Sequence, residues 1–187
     1  DILVGTQMVS KGLDFPKVGL VGVMNADLFL HQPDFRASER AFQQLSHIAG
    51  RAGRKEQGRV LIQTYNPFQE TLQRVKEGDY MGMITTQLAE RHDFHYPPYY
   101  RLIRISFRHR ELERINQAGQ WFADGLRTGL ADYPVEVLGA EFPPISRIRN
   151  EYIKHILLKI APKVPLPVVK DYILRLEQSF YSTALFR

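Results

Sequence analysis

The apolar positions of this chain fall into different rhythms along its length. Ile2 to Val4 and Val18 to Met24 are continuous apolar runs, separated by the polar, glycine-containing stretch Gln7 to Lys17. Runs of this kind joined by a long connection predict parallel strands in a sheet covered on both faces. From Ala37 to Ile48 the spacing becomes that of an amphipathic helix with Phe42, Leu45 and Ile48 on its core face. Pro33 fixes a turn ahead of it. Gly58 releases the chain into a strand over Arg59 to Thr64. Asn66-Pro67 then starts a helix from Phe68 to Lys76, and Gly78-Asp79 separates it from a second helix, Tyr80 to Arg91, whose Met81, Ile84 and Leu88 read as core.

The pattern changes at His95-Tyr96-Pro97-Pro98-Tyr99-Tyr100. Paired prolines force extended backbone and disfavour helix before them, which puts a domain boundary between residues 96 and 97. Beyond it, period-two alternation predicts a strand over Leu102 to Arg108, with Ile103, Ile105 and Phe107 inward and Arg104, Ser106 and Arg108 outward. A helix over Leu112 to Leu130 follows, then strands over Val135 to Gly139, Ile145 to Ile148 and Tyr152 to Ala161. A helix over Leu166 to Phe180 and a short strand at Thr183 to Phe186 complete the chain. The expected fold class is therefore α/β: a parallel-sheet unit over residues 1–96 and a small α+β unit over residues 97–187.

At 187 residues, with 44% hydrophobic and 24% charged positions, the chain has the balance of a soluble globular protein able to bury a core in one or two domains. Neither a membrane span nor a signal peptide is expected, because no apolar run is long enough and no basic-then-apolar leader precedes Asp1. Cysteine is absent, which excludes disulfides within the chain and fits a cytoplasmic protein. The six histidines show no ligand spacing, so no metal is expected. Residues 1–96 hold 11 Lys+Arg and 11 Asp+Glu, whereas 97–187 hold 14 and 9, so the net +5 belongs wholly to the second half. The opening Asp1 to Thr6 reads as a buried strand without an initiator methionine, and the chain is expected to be a piece of a longer protein.

Gln44 to Arg54 carries the densest chemistry. Two arginines, each preceded by glycine, close the first helix, and continued helical spacing would put His47, Arg51 and Arg54 on one face. Glycine inside a helix costs about 1 kcal/mol relative to alanine, so two glycines beside two guanidinium groups mark the close approach of something bulky. Cations that donate in pairs suit a phosphate, and an arginine set against a transferring phosphoryl group stabilises its developing charge. The loop Thr6 to Phe15 brings a hydroxyl, Lys11, Gly12 and Asp14 to the end of a strand, where ligands of open α/β sheets sit. Arg104, Arg147 and Arg149, interleaved with aromatic residues, offer phosphate and base contacts on a sheet face. A merely solvated face is the other reading of that pattern.

The stretch around Gly50-Arg51-Ala52-Gly53-Arg54 resembles motif VI of superfamily 2 helicases, and Thr6 to Phe15 resembles their motif V. His47 stands where that superfamily usually has glutamine, and Lys11 where many members have arginine. Pro97-Pro98 with Arg101-Leu102, Val137-Leu138-Gly139, Pro143-Pro144, Arg147 to Tyr152 and Ile156-Leu157-Leu158-Lys159 look like the C-terminal end of the PriA family, the primosomal N′ proteins of bacteria. Glu151 departs from that family's basic or small residue at the hairpin tip.

This resemblance covers nearly the whole chain and implies a fold, an activity and a set of contacts. Residues 1–96 would be the C-terminal half of a RecA-like helicase lobe, and 97–187 a terminal domain that grips branched DNA. Arg54 would be the arginine finger, Arg51 a second γ-phosphate contact, and Gly12 with Asp14 the residues near the nucleotide ribose. Thr6, Gln7 and Lys11 would touch DNA, as would Arg104, Arg147 and Arg149. The parent would be a 3′ to 5′ DNA helicase that uses ATP and Mg2+, carries zinc in a cysteine region outside this chain, and reloads the replication machinery at abandoned forks. Its implied partners are forked and single-stranded DNA, single-stranded DNA-binding protein and other primosome proteins.

No G-x-x-x-x-G-K-[ST] string occurs, so this chain alone is not expected to hydrolyse ATP. Two other readings stay open: a different superfamily 2 fork or repair translocase, and a non-catalytic basic module on a helicase scaffold. The absence of a helix-turn-helix or finger pattern favours salt-sensitive, structure-selective binding over base readout.

Overall fold

The computed structural model describes residues 2–5, 18–52 and 58–183. The chain divides into two compact units, Asp1–Glu90 and Arg91–Arg187. That division lies ahead of the 96/97 boundary suggested by the prolines, because residues 92–96 fold onto the second sheet. Lys159 Nζ donates to Phe94 O at 2.8 Å and lies 4.4 Å from the centre of the Tyr96 ring, while His95 stacks on Tyr100 at 4.2 Å.

In the first unit β1 (Leu20–Val23) and β2 (Arg59–Ile62) pair in parallel, with Leu20 opposite Arg59 and Val23 opposite Ile62. Around them run α1 (Asp27–Leu30), α2 (Ala37–Ala49), α3 (Glu70–Glu77) and α4 (Tyr80–Asp93). Val23, Ala26, Leu45 and Leu72 form the buried core. The ends of the two strands are tied by one carboxylate. Thr64 Oγ1 donates to Asp27 Oδ1 at 2.9 Å and the Tyr65 N–H donates to Oδ2 at 3.1 Å. Burial acts against the Asp27 charge, but the Tyr65 N–H, the Thr64 hydroxyl and the nearby His31 together hold its carboxyl below the usual 3.8.

Three expectations for this unit differ from what is found. Ile2 to Val4 is not a strand: its side chains are exposed, and it has no ladder partner among the described residues. The helix α1 was not expected; Asn25, at φ 58°, turns the chain straight from β1 into it. In α4 the buried residues are Met83 and Gln87, with Met81 exposed. The start of that helix sets its phase, since Asp79 Oδ1 accepts the Gly82 N–H at 2.8 Å while Arg74 pairs with the same carboxylate.

The second unit is a β-α-β-β-β-α arrangement: β3 (Arg101–His109), α5 (Leu112–Gly129), β4 (Val135–Glu141), β5 (Arg147–Ile148), β6 (Glu151–Ile160) and α6 (Leu166–Ser182). Strand β6 is central and antiparallel to its neighbours, with β3 on one side and β4 and β5 on the other. Ile156, Leu158 and Ile160 are fully buried with Phe122, Leu126 and Val169 from the helices, and Ile103, Ile105 and Phe107 pack against them. Phe107, Phe122 and Phe180 close this core from three elements, with ring centres 5.4 to 6.2 Å apart. A side chain at Gly129 would collide with the Tyr172 ring, so glycine lets α6 approach α5. The short strand expected at Thr183 to Phe186 falls almost entirely outside the described residues; Thr183 caps α6.

Leu158→Ala is expected to lower the stability of the second unit by about 3 kcal/mol, read from its denaturant midpoint. Asp27→Asn is expected to destabilise the first unit at neutral pH. Because the folded carboxyl titrates below 3.8, the wild-type advantage is fully present above that value and shrinks as the pH falls through the folded one. Urea midpoints of both proteins between pH 7 and pH 3 check it; a gap that stays constant into acid would reject the role given to the charge.

Candidate nucleic-acid interface

The alternation of β6 decides which basic residues share a surface. Residues opposite one another in an antiparallel pair point to the same side of the sheet. Ser106 is opposite His155 and Arg104 opposite Leu157, and Arg108 is opposite Ile153. These side chains therefore lie on the face away from the helices, where Arg104, Ser106 and Arg108 are exposed and His155 is half-buried. Ser106 Oγ is 3.0 Å from His155 Nδ1.

On the other side of β6 the pairing passes through a bulge between Leu138 and Glu141, which brings Glu141 opposite His155. Gly139 makes this bulge. Its φ is 93° and a Cβ there would stand 2.6 Å from His155 O, so the position excludes any side chain. Arg127 on α5 donates to Gly139 O and holds the bulge from the helix side.

The same face is closed at one end. Leu102 and Glu136 flank Lys159, whose ammonium is buried under Phe94 and Tyr96. Burying that charge is tolerable because the carbonyl, the ring and Glu136, 4.0 Å away, all satisfy it.

Arg147 and Arg149 occupy a different surface. Arg147 is opposite Tyr152, which the alternation puts on the helix-side face, and its guanidinium lies 4.7 Å from the centre of that ring. Arg149 and Asn150 form the two-residue turn between β5 and β6, at φ 50° and 66°, the turn type that needs positive φ at both central residues. Arg147 donates to the Asn150 side chain across this turn. Both arginines are exposed, but Arg104 does not share a face with Arg147.

Of the nucleotide residues implied by the resemblance, Arg51 lies among those described. The helix carrying His47 ends at Ala49, and Arg51 sits in the turn beyond rather than on a continued helix. The Arg51 N–H bonds Ile48 O and the Ala52 N–H bonds Ala49 O, so the chain tightens after Gly50. Arg51 still meets His47, Nη2 to Nε2 at 3.1 Å. A half-buried guanidinium at this place is chemically suited to a phosphate oxygen. Thr6, Gln7, Lys11, Gly12, Asp14 and Arg54 lie outside the described residues.

Sequence reasoning did not include Ser106, Arg108 or His155 among the site residues. Arg108 was readable in the alternation of β3. His155 was not, since its place depends on pairing with a strand 49 residues away. Burial lowers its imidazole pKa, the Arg104 charge lowers it further, and the Arg108 charge adds to this against an opposing hydrogen bond at the Lys154 backbone. Among the described residues no group of three or more His, Asp or Glu could hold a metal ion, and no helix is long and apolar enough to cross a membrane.

Residues 92–179 match the Primosomal protein N C-terminal domain. The chain is 41% identical over 176 residues to the Replication restart protein PriA of Bacillus subtilis, an alignment covering 93% of this chain and 22% of that protein. The Synechocystis protein of the same name is 41% identical over 174 residues, 90% of this chain and 20% of the relative. For that of Treponema pallidum the figures are 39% over 167 residues, 89% and 25%. The chain thus spans between a fifth and a quarter of the length of these relatives. Identity sustained across both units, with the domain match starting where the second unit starts, means that the chain belongs to the PriA family.

Proposed function

We propose that this chain is the part of a 3′ to 5′ DNA helicase that couples ATP to DNA and holds branched DNA, in a protein that reloads the replication machinery at abandoned forks. The observation that supports it best is the exposed basic face of the second sheet, in a domain whose relatives are named replication restart proteins. Basic side chains on an open sheet face fix phosphates without reading bases, which is what a structure-selective DNA grip requires.

The first unit then corresponds to the latter half of a RecA-like lobe. Its order of strand, arginine-bearing helix and parallel strand supports that reading. Arg51 would meet the γ-phosphate with one arm on His47, and Arg54 would act as the finger. Gly12 and Asp14 would approach the ribose, and Thr6, Gln7 and Lys11 the tracking strand. The lysine and acid that hold ATP and Mg2+ would lie outside this chain, as would the zinc-binding cysteines. Forked and single-stranded DNA, single-stranded DNA-binding protein and other primosome proteins are the partners of this reading, in the cytoplasm.

Binding of the 187-residue chain to a forked DNA and to a duplex of equal length, over a salt series, tests the DNA assignment. Tighter binding to the fork is expected, with Arg104→Ala and Arg108→Ala each lowering the slope of log K against log salt by about 1. Arg149→Gly suits the φ of 50° at the turn, so it should hold or raise thermal stability while weakening fork binding. Equal affinity for both DNAs, with no variant altering the slope, would reject the grip. In the full-length protein Arg54→Ala is expected to lose roughly 10³-fold or more of the DNA-stimulated ATPase while keeping fork binding; normal turnover would sink the arginine-finger assignment.

A further inference from the structure

The row Ser106, His155, Glu141 crosses the middle of the exposed face, and its imidazole is placed to do more than pack. Ser106 and Glu141 are the register partners of His155 on β3 and β4. Arg104 and Arg108 stand two positions to either side of Ser106 on the same face. Besides Glu141, the other charged or titratable groups at that face among the described residues are Glu151 and Lys159, four residues to each side along β6, and Glu136 opposite Lys159 with His95 Nδ1 3.4 Å from its Oε2. Lys159 is already engaged by Phe94 and Tyr96. Two arginines and one half-buried ring therefore surround the spot where an anion would settle.

Burial and the neighbouring guanidinium charges make the ring give up its proton below the usual 6.5. In the neutral tautomer that carries its hydrogen on Nε2, the Ser106 hydroxyl donates to Nδ1 and has no hydrogen left for a ligand. A phosphodiester seated between Arg104 and Arg108 changes both terms: its negative charge offsets the repulsion that the imidazolium would feel. Once protonated, Nδ1–H donates to Ser106 Oγ and the hydroxyl hydrogen turns outward. A single proton thus adds one positive charge to the site and, from the Nε2–H tautomer, one outward donor.

We infer that Arg104, Ser106, Arg108 and His155 form one phosphodiester site in which His155 takes up a proton as DNA binds. This rests on the DNA-binding reading of the face and adds a proton to it. Above both the free and the bound values of the ring nothing is taken up; between them up to one proton is. Affinity therefore rises as the pH falls from 8 toward 6, by a factor that reaches about tenfold for each unit by which the bound ring's pKa exceeds the free one's once the pH is below the free value.

The test uses the 187-residue chain and a single-stranded oligonucleotide at fixed salt, with affinities measured from pH 8 to pH 6. Calorimetry in two buffers of different ionisation enthalpy counts the protons. The wild type should bind more tightly in acid with net proton uptake, and His155→Gln should flatten the profile and remove the uptake. As a readout that does not depend on a variant folding, the C2–H resonance of His155 should titrate at higher pH with oligonucleotide than without. Binding that is independent of pH, or uptake that survives in His155→Gln, overturns the proton while leaving the DNA assignment standing. An absence of binding at every pH overturns both.

Discussion

Because successive side chains of β6 point to opposite sides of its sheet, Ile156, Leu158 and Ile160 can be sealed under the helices only if Ile153, His155, Leu157 and Lys159 go to the other side. Every other placement in the second unit inherits that division. β3 matches it along its full length, so Arg104, Ser106 and Arg108 face away from the core. β4 cannot match it throughout, and the bulge at Gly139 restores the phase so that Glu141 still stands opposite His155. A basic surface is thus a by-product of the same register that builds the hydrophobic core. Slipping β3 by one residue would bury Arg104 and Arg108 and expose Ile103 and Ile105.

The first unit relies on a smaller device. Its two parallel strands are short, and a pair of that kind has little stability of its own. Asp27 joins them by accepting from the Thr64 hydroxyl and the Tyr65 N–H, while the Ala26 N–H bonds Gln63 O and the Gln63 N–H bonds Val23 O. The carboxylate is buried by the same turn that Asn25 makes at positive φ, so the turn and the strand junction stabilise one another. Met24, Leu28, Tyr65 and Phe68 remain exposed around this junction.

Residue types alone revealed those parts of the fold where one surface is dry and the other wet. Ile103, Ile105 and Phe107 alternate with Arg104, Ser106 and Arg108 because only one face of β3 packs, and the helix over Ala37 to Ala49 shows its stripe for the same reason. What depends on distant partners was not legible. Arg104 and Arg147 look alike in sequence, and only the hairpin register separates their faces. Lys159 reads as a surface lysine, but its ammonium is buried and donates a hydrogen bond to the backbone carbonyl of Phe94, 65 residues earlier. The line of His47, Arg51 and Arg54 assumed a helix that in fact ends at Ala49, and the Arg51 to His47 contact survives because the tightened turn keeps them within reach.

The closed end of the basic face limits its length. With Lys159 covered, the usable stretch runs along β3 from Arg104 to Arg108, about 14 Å of strand at the rise of an extended chain. As the DNA grip proposed above, a footprint that short would accommodate only a few nucleotides and give weak affinity on its own. On the proposed function its value would lie in being tethered: were a motor elsewhere on the same protein to hold DNA, the strand beside this face would be present at an effective concentration set by the linker, in the millimolar range for short ones. Weak contacts would then suffice to bias where the DNA lies, and they could be broken one at a time as it moved, which a tighter clamp would not permit.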